Sequence, residues 1–320
     1  MKGKKGKKGK SGRPGGRPPG VKQVKPATLG DWIGAARIPT LPLSIAPVLL
    51  GTGVAHVFAT EADGVGWHWM RALLCLAVAV FLQIGVNFAN DYSDGVRGAD
   101  AVRVGPARLT ASGAAKPKTV LTVALVFFGL AAIAGLIITV RSGHWWFIAA
   151  GAVCILAAWF YTGGKRPYGY AGLGELAVFV FFGIVATAGT TFALVGTVPQ
   201  DGWLAAVAAG AFAVAVLSVA NLRDREQDAK VGKRTLSVRI GDRASRIVTV
   251  VVLAVPYAIL VFFTFFYDRA FFAYFTLLIT IPAALITLTA KTSQELVLVL
   301  RLVSLASLFY AIALGWAIGF

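Results

Sequence analysis

Two groups of carboxylate and carboxamide side chains follow helical spacing at the ends of long apolar runs. The first group contains Asn87, Asn90, Asp91 and Asp94, and the second contains Asn221, Asp224 and Asp228. At about 100° per residue, the members of each group cover roughly a third of a helix circumference. Each predicted helix therefore presents one face of oxygen ligands, in a chain with only 14 Asp and Glu residues among 320.

The four aspartates in these groups predict a metal site. Carboxylates that converge in an apolar setting repel one another and lose hydration, so a cation is needed to neutralise them. Mg²⁺ prefers oxygen ligands and usually binds one or two carboxylates together with phosphate oxygens of a substrate. We therefore predict that Asp91, Asp94, Asp224 and Asp228 bind Mg²⁺ and that the substrate carries a diphosphate.

Basic residues follow these acidic groups and also end the apolar run near 162. They are Arg97, Arg103 and Arg108, then Lys165 and Arg166, and then Lys233 and Arg234. Guanidinium and ammonium groups bind phosphate oxygens and stabilise a departing negative charge, so these residues are predicted to bind the substrate. The alternative is that the same basic residues form ordinary salt bridges with the aspartates. A metal site is favoured over this alternative, because each of the two acidic groups lies on one helix face and also contains Asn.

The composition excludes an ordinary soluble domain. Hydrophobic residues make up 57% of the chain, charged residues 14%, and the mean hydropathy is +0.74, whereas soluble domains carry about a quarter charged residues. We predict an all-α polytopic membrane protein with nine spans of about 20 residues each. The predicted spans are 42–59, 71–90, 119–140, 145–162, 175–196, 203–222, 247–266, 270–290 and 297–319. The first span is short, and a single re-entrant hairpin is the alternative to the two spans around Asp268 and Arg269.

The distribution of basic residues predicts the orientation. Of the 31 Lys and Arg residues, 28 lie on one side of the predicted membrane, and only Arg71, Arg141 and Arg269 lie on the other. Because cytoplasmic loops are enriched in Lys and Arg, we predict a cytoplasmic N-terminus and a site near the cytoplasmic face of the cell membrane. Attraction to anionic membrane lipid then explains the net charge of +17, and no nucleic-acid partner is predicted.

The N-terminal segment differs in composition from the rest of the chain. Residues 1–28 are rich in Lys, Gly and Pro and have too few apolar side chains to form a core, so they are predicted to be a disordered basic cytoplasmic tail. Residues 29–320 are predicted to form the membrane domain. Cys75 and Cys154 fall inside apolar spans and indicate small core residues, and the three His residues lie away from the acidic groups.

Four motifs resemble those of the UbiA superfamily of intramembrane prenyltransferases, most closely its 1,4-dihydroxy-2-naphthoate branch. They cover 37–42, 87–100, 161–175 and 221–236, and the resemblance extends over about 36–320. Gly98 stands where many superfamily members have another Asp, and this difference resembles the naphthoate branch. The motifs are specific because all four occur in order and each lies at the predicted inner surface.

The resemblance implies nine helices bundled around a central cavity that opens sideways to membrane lipid. It also implies a polyprenyl diphosphate donor and 1,4-dihydroxy-2-naphthoate as acceptor. By this resemblance Tyr161 and Tyr168 would shield a prenyl carbocation, and Arg37 or Lys165 would bind the acceptor carboxylate. The amide side chains that would assist the Mg²⁺-diphosphate group are those of Asn87, Asn90 and Asn221.

Other functions remain as alternatives at this point. Acidic residues in spans and a weak internal repeat also occur in ion-coupled transporters, but here the acids lie at one predicted surface and not at the midplane. A CDP-alcohol phosphotransferase would need a further acidic motif, and Asp94-Gly95 is followed by Val96-Arg97 without it. Within the superfamily, 4-hydroxybenzoate, homogentisate or a phosphoribosyl sugar is the alternative acceptor.

Overall fold

The computed structural model describes residues 25–61, 66, 68–98 and 108–319, and within these ranges the regular structure is helical. Residues 1–24 of the predicted tail and Arg103 lie outside the described residues. The helices are α1 Leu29–Ala35, α2 Pro42–Glu61, α3 Trp69–Val96, α4 Pro117–Ser142, α5 Phe147–Phe160, α6 Gly174–Val195, α7 Gln200–Lys230, α8 Leu236–Ile240, α9 Asp242–Phe266, α10 Asp268–Thr289 and α11 Ser293–Gly319. The middle of α6 is π-helical over Phe179–Ala188, and α10 begins as a 3₁₀-helix over Asp268–Thr276.

Eight of the nine predicted spans are helices long and apolar enough to cross a membrane. The chain is therefore a multi-pass membrane protein of the predicted all-α class. The prediction placed two separate spans around Asp268, and α9 and α10 are each long and apolar enough to cross a membrane. The predicted span 145–162 corresponds to α5, which has 14 residues. At 1.5 Å per residue it covers about 21 Å, less than the roughly 30 Å of hydrocarbon, so the count of nine full spans is not established.

Capping residues and helix-breaking residues in the sequence set the ends of α1 and α4. Thr28 caps α1 by accepting the backbone N–H of Asp31, while the Asp31 carboxylate accepts the N–H of Thr28. α4 begins with Pro117, where a missing N–H costs nothing, and it ends at Gly143, whose φ of 75° favours glycine. These signals set the ends of α1 and α4, and both helices pack against α3, which carries the first acidic group.

Close helix contacts are made through glycine. A Cβ at Gly53 on α2 would lie 2.9 Å from the Cα of Gly315 on α11 and would overlap the Gly315 carbonyl oxygen. α6 and α7 approach one another in the same way, since a Cβ at Gly183 would lie 2.6 Å from the Cα of Gly210. Membrane helices associate mainly by such close packing, because lipid is as apolar as the helix faces. These crossings set the spacing of the bundle around its interior.

A cavity of about 1760 Å³ opens inside the bundle, between α1 to α7 and the first turns of α11. Most of its lining is apolar, from side chains such as Val78, Leu82, Phe181 and Ile184. Its polar lining is concentrated where the end of α3, the turn between α5 and α6, and the end of α7 meet. The fold therefore places the two acidic groups at one polar end of an apolar chamber.

Candidate active site

The two acidic groups meet across a single lysine. The ammonium nitrogen of Lys233 lies 3.4 Å from Oδ2 of Asp94 at the end of α3 and 3.9 Å from Oδ1 of Asp228 at the end of α7. The Lys233 and Asp94 side chains are only 9% and 3% exposed. The single ammonium charge offsets one of the two carboxylate charges, and this pairing lowers the cost of burying them. The helical stripes therefore face each other, as their spacing predicted.

The second acidic group is held by neighbours on its own helix and on α6. Asp224 accepts two hydrogen bonds of 2.7 Å from the Arg223 guanidinium, a paired geometry that favours a carboxylate. The Nδ2 atom of Asn221 donates to Oε1 of Glu175 over 2.8 Å. This bond uses the Asn221 amide nitrogen, so the amide oxygen points away from Glu175. Asn221, Arg223 and Asp224 all line the cavity.

Asp91 differs from the other predicted metal ligands. Its side chain has no exposed surface, and it does not line the cavity. Its two carboxylate oxygens accept the backbone N–H groups of Leu109 and Thr110, at 2.9 and 2.8 Å. Asp94 follows Asp91 by three positions, so the two side chains point about 60° apart around the helix, and Asp91 can face this segment while Asp94 faces the cavity. In this structure the Asp91 carboxylate holds the segment that begins α4.

The asparagines of α3 tie the helix to its neighbours. Asn87 donates from Nδ2 to the carbonyl oxygen of Ala36 over 2.9 Å, and Asn90 accepts from the Thr162 hydroxyl over 2.6 Å. The hydrogen bond to Ala36 fixes the backbone just before Arg37. Arg37 itself has a φ of 56°, a left-handed conformation that non-glycine residues rarely adopt. Arg37, Asn87 and Asn90 all line the cavity. Such backbone strain is concentrated at functional sites, which fits the predicted role of Arg37.

Tyr161 and Tyr168 pack together beside the acidic groups. Their rings meet edge to face, with centroids 5.5 Å apart, and the Tyr168 hydroxyl donates to the carbonyl oxygen of Ala157 over 2.7 Å. Burial raises the pKa of Tyr168 to about 12 and also raises the pKa of Tyr161. Both phenols are therefore neutral at physiological pH, and both line the cavity.

The predicted basic residues separate into two sets. Lys233 and Arg108 line the cavity. The others with described positions do not line it: Arg97, Lys165, Arg166 and Arg234. The Arg97 guanidinium donates to the carbonyl oxygens of Thr162 and Gly164, so it joins the end of α3 to the turn after α5. Lys165, Arg166 and Arg234 are exposed outside the chamber.

Three side chains at the site had no role assigned from the sequence: Tyr170, Glu175 and Arg223. The Tyr170 hydroxyl donates to Oδ1 of Asp94 over 2.6 Å, and Glu175 and Arg223 hold Asn221 and Asp224 as described above. Glu175 is a single carboxylate at the start of an apolar span, which is a usable sequence signal because such a residue needs a partner. Tyr170 lies in a short 3₁₀ turn, Tyr168–Ala171, where periodicity gives no indication of its direction.

The donor atoms at the acidic site are those that Mg²⁺ prefers. Among the described residues, no group of three His, Cys, Asp or Glu side chains is assembled at metal-binding spacing. A Mg²⁺ that shares its shell with diphosphate needs only one or two carboxylates. Asp94 and Asp228 already bracket one cation, the Lys233 ammonium, and all their donor atoms are oxygen. The residues present therefore fit an ion that arrives together with a diphosphate.

The fold and the site together define a multi-pass membrane bundle whose apolar chamber ends in acidic and basic side chains, an arrangement that suits an apolar substrate with a charged head group. The model of the UbiA prenyltransferase family matches residues 44–308, and the chain belongs to this family. It is 45% identical over 308 residues to the 1,4-dihydroxy-2-naphthoate octaprenyltransferase of Mycobacterium tuberculosis, covering 92% of this chain and 98% of that protein.

Solved structures share the fold at low sequence identity. A UbiA homolog from Aeropyrum pernix K1 superimposes with a TM-score of 0.63 at 14% identity, over 83% of this chain and 96% of that one. A UbiA homolog from Archaeoglobus fulgidus bound to GPP and Mg²⁺ gives a TM-score of 0.55 at 15% identity, over 90% and 99%. These matches show the helical bundle of the family.

Proposed function

We propose that the protein transfers a polyprenyl group from polyprenyl diphosphate to 1,4-dihydroxy-2-naphthoate, the prenylation step of menaquinone biosynthesis. The observation that carries the proposal is the meeting of Asp94 and Asp228 across Lys233 at the polar end of a large apolar chamber. A diphosphate fits the charged end and an isoprenoid chain fits the apolar part. The name of the Mycobacterium tuberculosis relative supports the choice of acceptor.

The expected ion is Mg²⁺, and its proposed ligands are Asp94 and Asp228, which flank the Lys233 ammonium. Asp224 is the third proposed ligand, and it would join them after it parts from the Arg223 guanidinium. When bound with the donor, Mg²⁺ would neutralise diphosphate oxygens and so make diphosphate a better leaving group. Lys233, which already contacts two of these carboxylates, would move to the phosphate oxygens. Arg108 and Arg223 line the same part of the chamber and would bind the remaining oxygens. Asp91, predicted from sequence as a fourth ligand, is assigned instead to support of the segment at Leu109.

The reaction breaks the allylic C–O bond, and its electron pair leaves with diphosphate. The electron-rich naphthoate ring then supplies the pair that forms the new C–C bond, and the ring loses its carboxyl group as CO₂. The neutral rings of Tyr161 and Tyr168 would face the allylic cation, because aromatic faces attract positive charge. Arg37 is the better candidate for the acceptor carboxylate, since it lines the chamber and the exposed Lys165 does not.

We also propose a cytoplasmic N-terminus and a site that opens toward the cytoplasmic face. The support is the bias of 28 basic residues to one side of the spans. The acidic ends of α3 and α7 and the start of α11 would then face the cytoplasm. A cysteine-labelling experiment at exposed Lys230 and exposed Trp145 in intact cells would test it, with modification of Trp145→Cys alone expected from outside.

The test of the function uses purified protein in lipid nanodiscs with farnesyl diphosphate, Mg²⁺ and 1,4-dihydroxy-2-naphthoate. Mass spectrometry should detect the prenylated naphthoquinol, or the quinone that forms from it by oxidation in air, with far less product from 4-hydroxybenzoate or homogentisate. Asp94→Asn, Asp224→Asn and Asp228→Asn should each lower kcat/KM by about 10²-fold or more, because each removes charge from the diphosphate site. Glu226→Gln is the matched control, since its 81% exposed side chain lies on the same helix end.

Absence of naphthoate product from the wild-type protein, with product from another acceptor, would reassign the substrate. Near-normal turnover in all three Asp variants would overturn the proposed mechanism. Comparison of donors of increasing length in the same assay gives the isoprenoid chain that the chamber accepts.

A further inference from the structure

Tyr170 connects three separate parts of the chain at the polar end of the chamber. It lies in the turn between α5 and α6, its hydroxyl contacts the end of α3, and its ring contacts the segment after α7. We infer that Tyr170 is a positioning residue that fixes the Asp94 carboxylate and the Lys233 ammonium for capture of a divalent ion with diphosphate. This inference rests on the proposed function, because it assigns Tyr170 a part in the same site.

The hydroxyl of Tyr170 fixes one oxygen of Asp94. It donates to Oδ1 over 2.6 Å, while Lys233 approaches the other oxygen, Oδ2, at 3.4 Å. A hydrogen bond to a carboxylate is charge-assisted and stronger than a neutral one, so it selects one side-chain conformation of Asp94. With Oδ1 held, Oδ2 is directed toward the position that Lys233 now fills. Asp94 and Asp228 flank this position, and they are the residues that would hold a divalent ion.

The ring of Tyr170 fixes the lysine. The Lys233 ammonium lies 4.4 Å from the ring centroid, and the Arg97 guanidinium carbon lies 5.6 Å from it. Both distances fall within the roughly 6 Å range in which an aromatic face attracts a cation. The ring can therefore retain Lys233 beside the site when a metal ion displaces it from Asp94.

The backbone around Tyr170 is itself anchored. The Arg234 N–H donates to the carbonyl oxygen of Tyr170 over 2.8 Å, and the Arg239 guanidinium donates to the carbonyl oxygen of Ala171 over 2.7 Å. Gly172 follows with a φ of 78°, and a Cβ there would lie 2.9 Å from the carbonyl oxygen of Arg234. The segment after α7 thus docks on the Tyr170 turn through main-chain contacts. These contacts remain when only the Tyr170 side chain is changed.

This geometry predicts a specific change in metal dependence. Tyr170→Phe keeps the ring and removes the hydroxyl, so Asp94 loses one orienting bond while Lys233 keeps its aromatic neighbour. Loss of a charge-assisted hydrogen bond should raise the Mg²⁺ concentration for half-maximal activity by about tenfold. At saturating Mg²⁺ the kcat and the KM for farnesyl diphosphate should stay within about threefold of wild type. Tyr170→Leu removes both contacts and should also lower kcat.

The experiment combines a Mg²⁺ titration of prenyl transfer with direct binding of Mn²⁺ in the presence of inorganic diphosphate, followed by Mn²⁺ electron paramagnetic resonance. Tyr170→Phe should weaken Mn²⁺ binding by about the same factor as the Mg²⁺ requirement rises. Tyr92→Phe is the control, because Tyr92 stacks on Trp159 and does not line the chamber. Thermal unfolding of each variant in nanodiscs identifies a loss of folding, which Tyr170→Phe should not cause.

A fall in kcat of Tyr170→Phe with unchanged Mg²⁺ and Mn²⁺ dependence would overturn the inference, because it would indicate a structural role alone. Unchanged values of all parameters would overturn it as well. Failure of the proposed function gives a different result: the wild-type protein makes no prenylated product, while the Mn²⁺ measurement still compares Tyr170→Phe with wild type.

Discussion

Lys233 lies 3.4 Å from Oδ2 of Asp94, although the two residues are 139 positions apart in the chain. The contact brings the segment after α7 onto the end of α3 at the polar end of the chamber. Because Asp228 also contacts the same ammonium, Lys233 serves as an internal counter-ion for two buried carboxylates.

Replacement of this counter-ion should change metal binding without substrate. In Lys233→Met the two carboxylates lose their cation, so Mn²⁺ alone should bind about tenfold more tightly than to wild type. Prenyl transfer should fall by about 10²-fold, since the diphosphate loses a cationic partner. Isothermal titration with Mn²⁺ and the product assay measure the two effects. Lys230→Met, an exposed change on the same helix end, is the control. Unaltered Mn²⁺ affinity in Lys233→Met would contradict the counter-ion role.

Glu175 should act through Asn221. Glu175→Ala removes the acceptor of the Asn221 amide hydrogen bond, so the amide can rotate and activity should fall by about tenfold. Glu175→Gln keeps an oxygen that can accept the same bond and should retain activity within about threefold. Steady-state kinetics of the two variants, at equal amounts of folded protein, makes the comparison. Equal activity of Glu175→Ala and Glu175→Gln would show that the hydrogen bond that orients Asn221 does not affect activity.

Arg37 and Lys165 can be separated by their effect on the acceptor. Arg37→Gln should raise the KM for 1,4-dihydroxy-2-naphthoate by about 10- to 100-fold, the cost of losing a charge-assisted hydrogen bond to a carboxylate. Lys165→Gln should change it by less than about threefold, because Lys165 is exposed and does not line the chamber. The KM for the prenyl donor is the internal control for each variant. The opposite ranking of the two variants would assign the carboxylate to Lys165.

The glycine crossing of α2 and α11 should set stability. Gly53→Ala places a methyl group against the Gly315 backbone, and such overpacking should cost about 1–3 kcal/mol in the free energy of unfolding. Gly129→Ala on α4 is the control, since a Cβ there meets no neighbour within 4 Å and alanine favours helix. Thermal unfolding in detergent should rank Gly53→Ala below wild type and Gly129→Ala at or above it. A Gly53→Ala protein as stable as wild type would show that α2 and α11 can move apart without lowering the free energy of unfolding.

The sequence supported the arrangement of spans and the meeting of the acidic stripes, because both follow from helical period and hydropathy. It could not show that Asp94 faces the chamber while Asp91, three positions before it, faces Leu109, since both fall within one stripe. That choice depends on where a distant segment folds back. Periodicity also gave no role to Tyr170, because its turn has no repeating pattern. The length of α5 was overestimated, since helix-breaking residues end it at Phe160.

The two hydrogen bonds that Asp91 accepts from backbone N–H groups affect how mutational scans of this family should be interpreted. Asp91→Asn would loosen the segment at Leu109 and Thr110, and with it the neighbouring Arg108 that lines the chamber. On the assignment proposed above, activity would fall without removal of a metal ligand, and added Mg²⁺ would not restore it. A mutational scan that measures only turnover would therefore count Asp91 as a metal ligand. A Mg²⁺ titration of each variant would separate residues that support the backbone from residues that bind the metal.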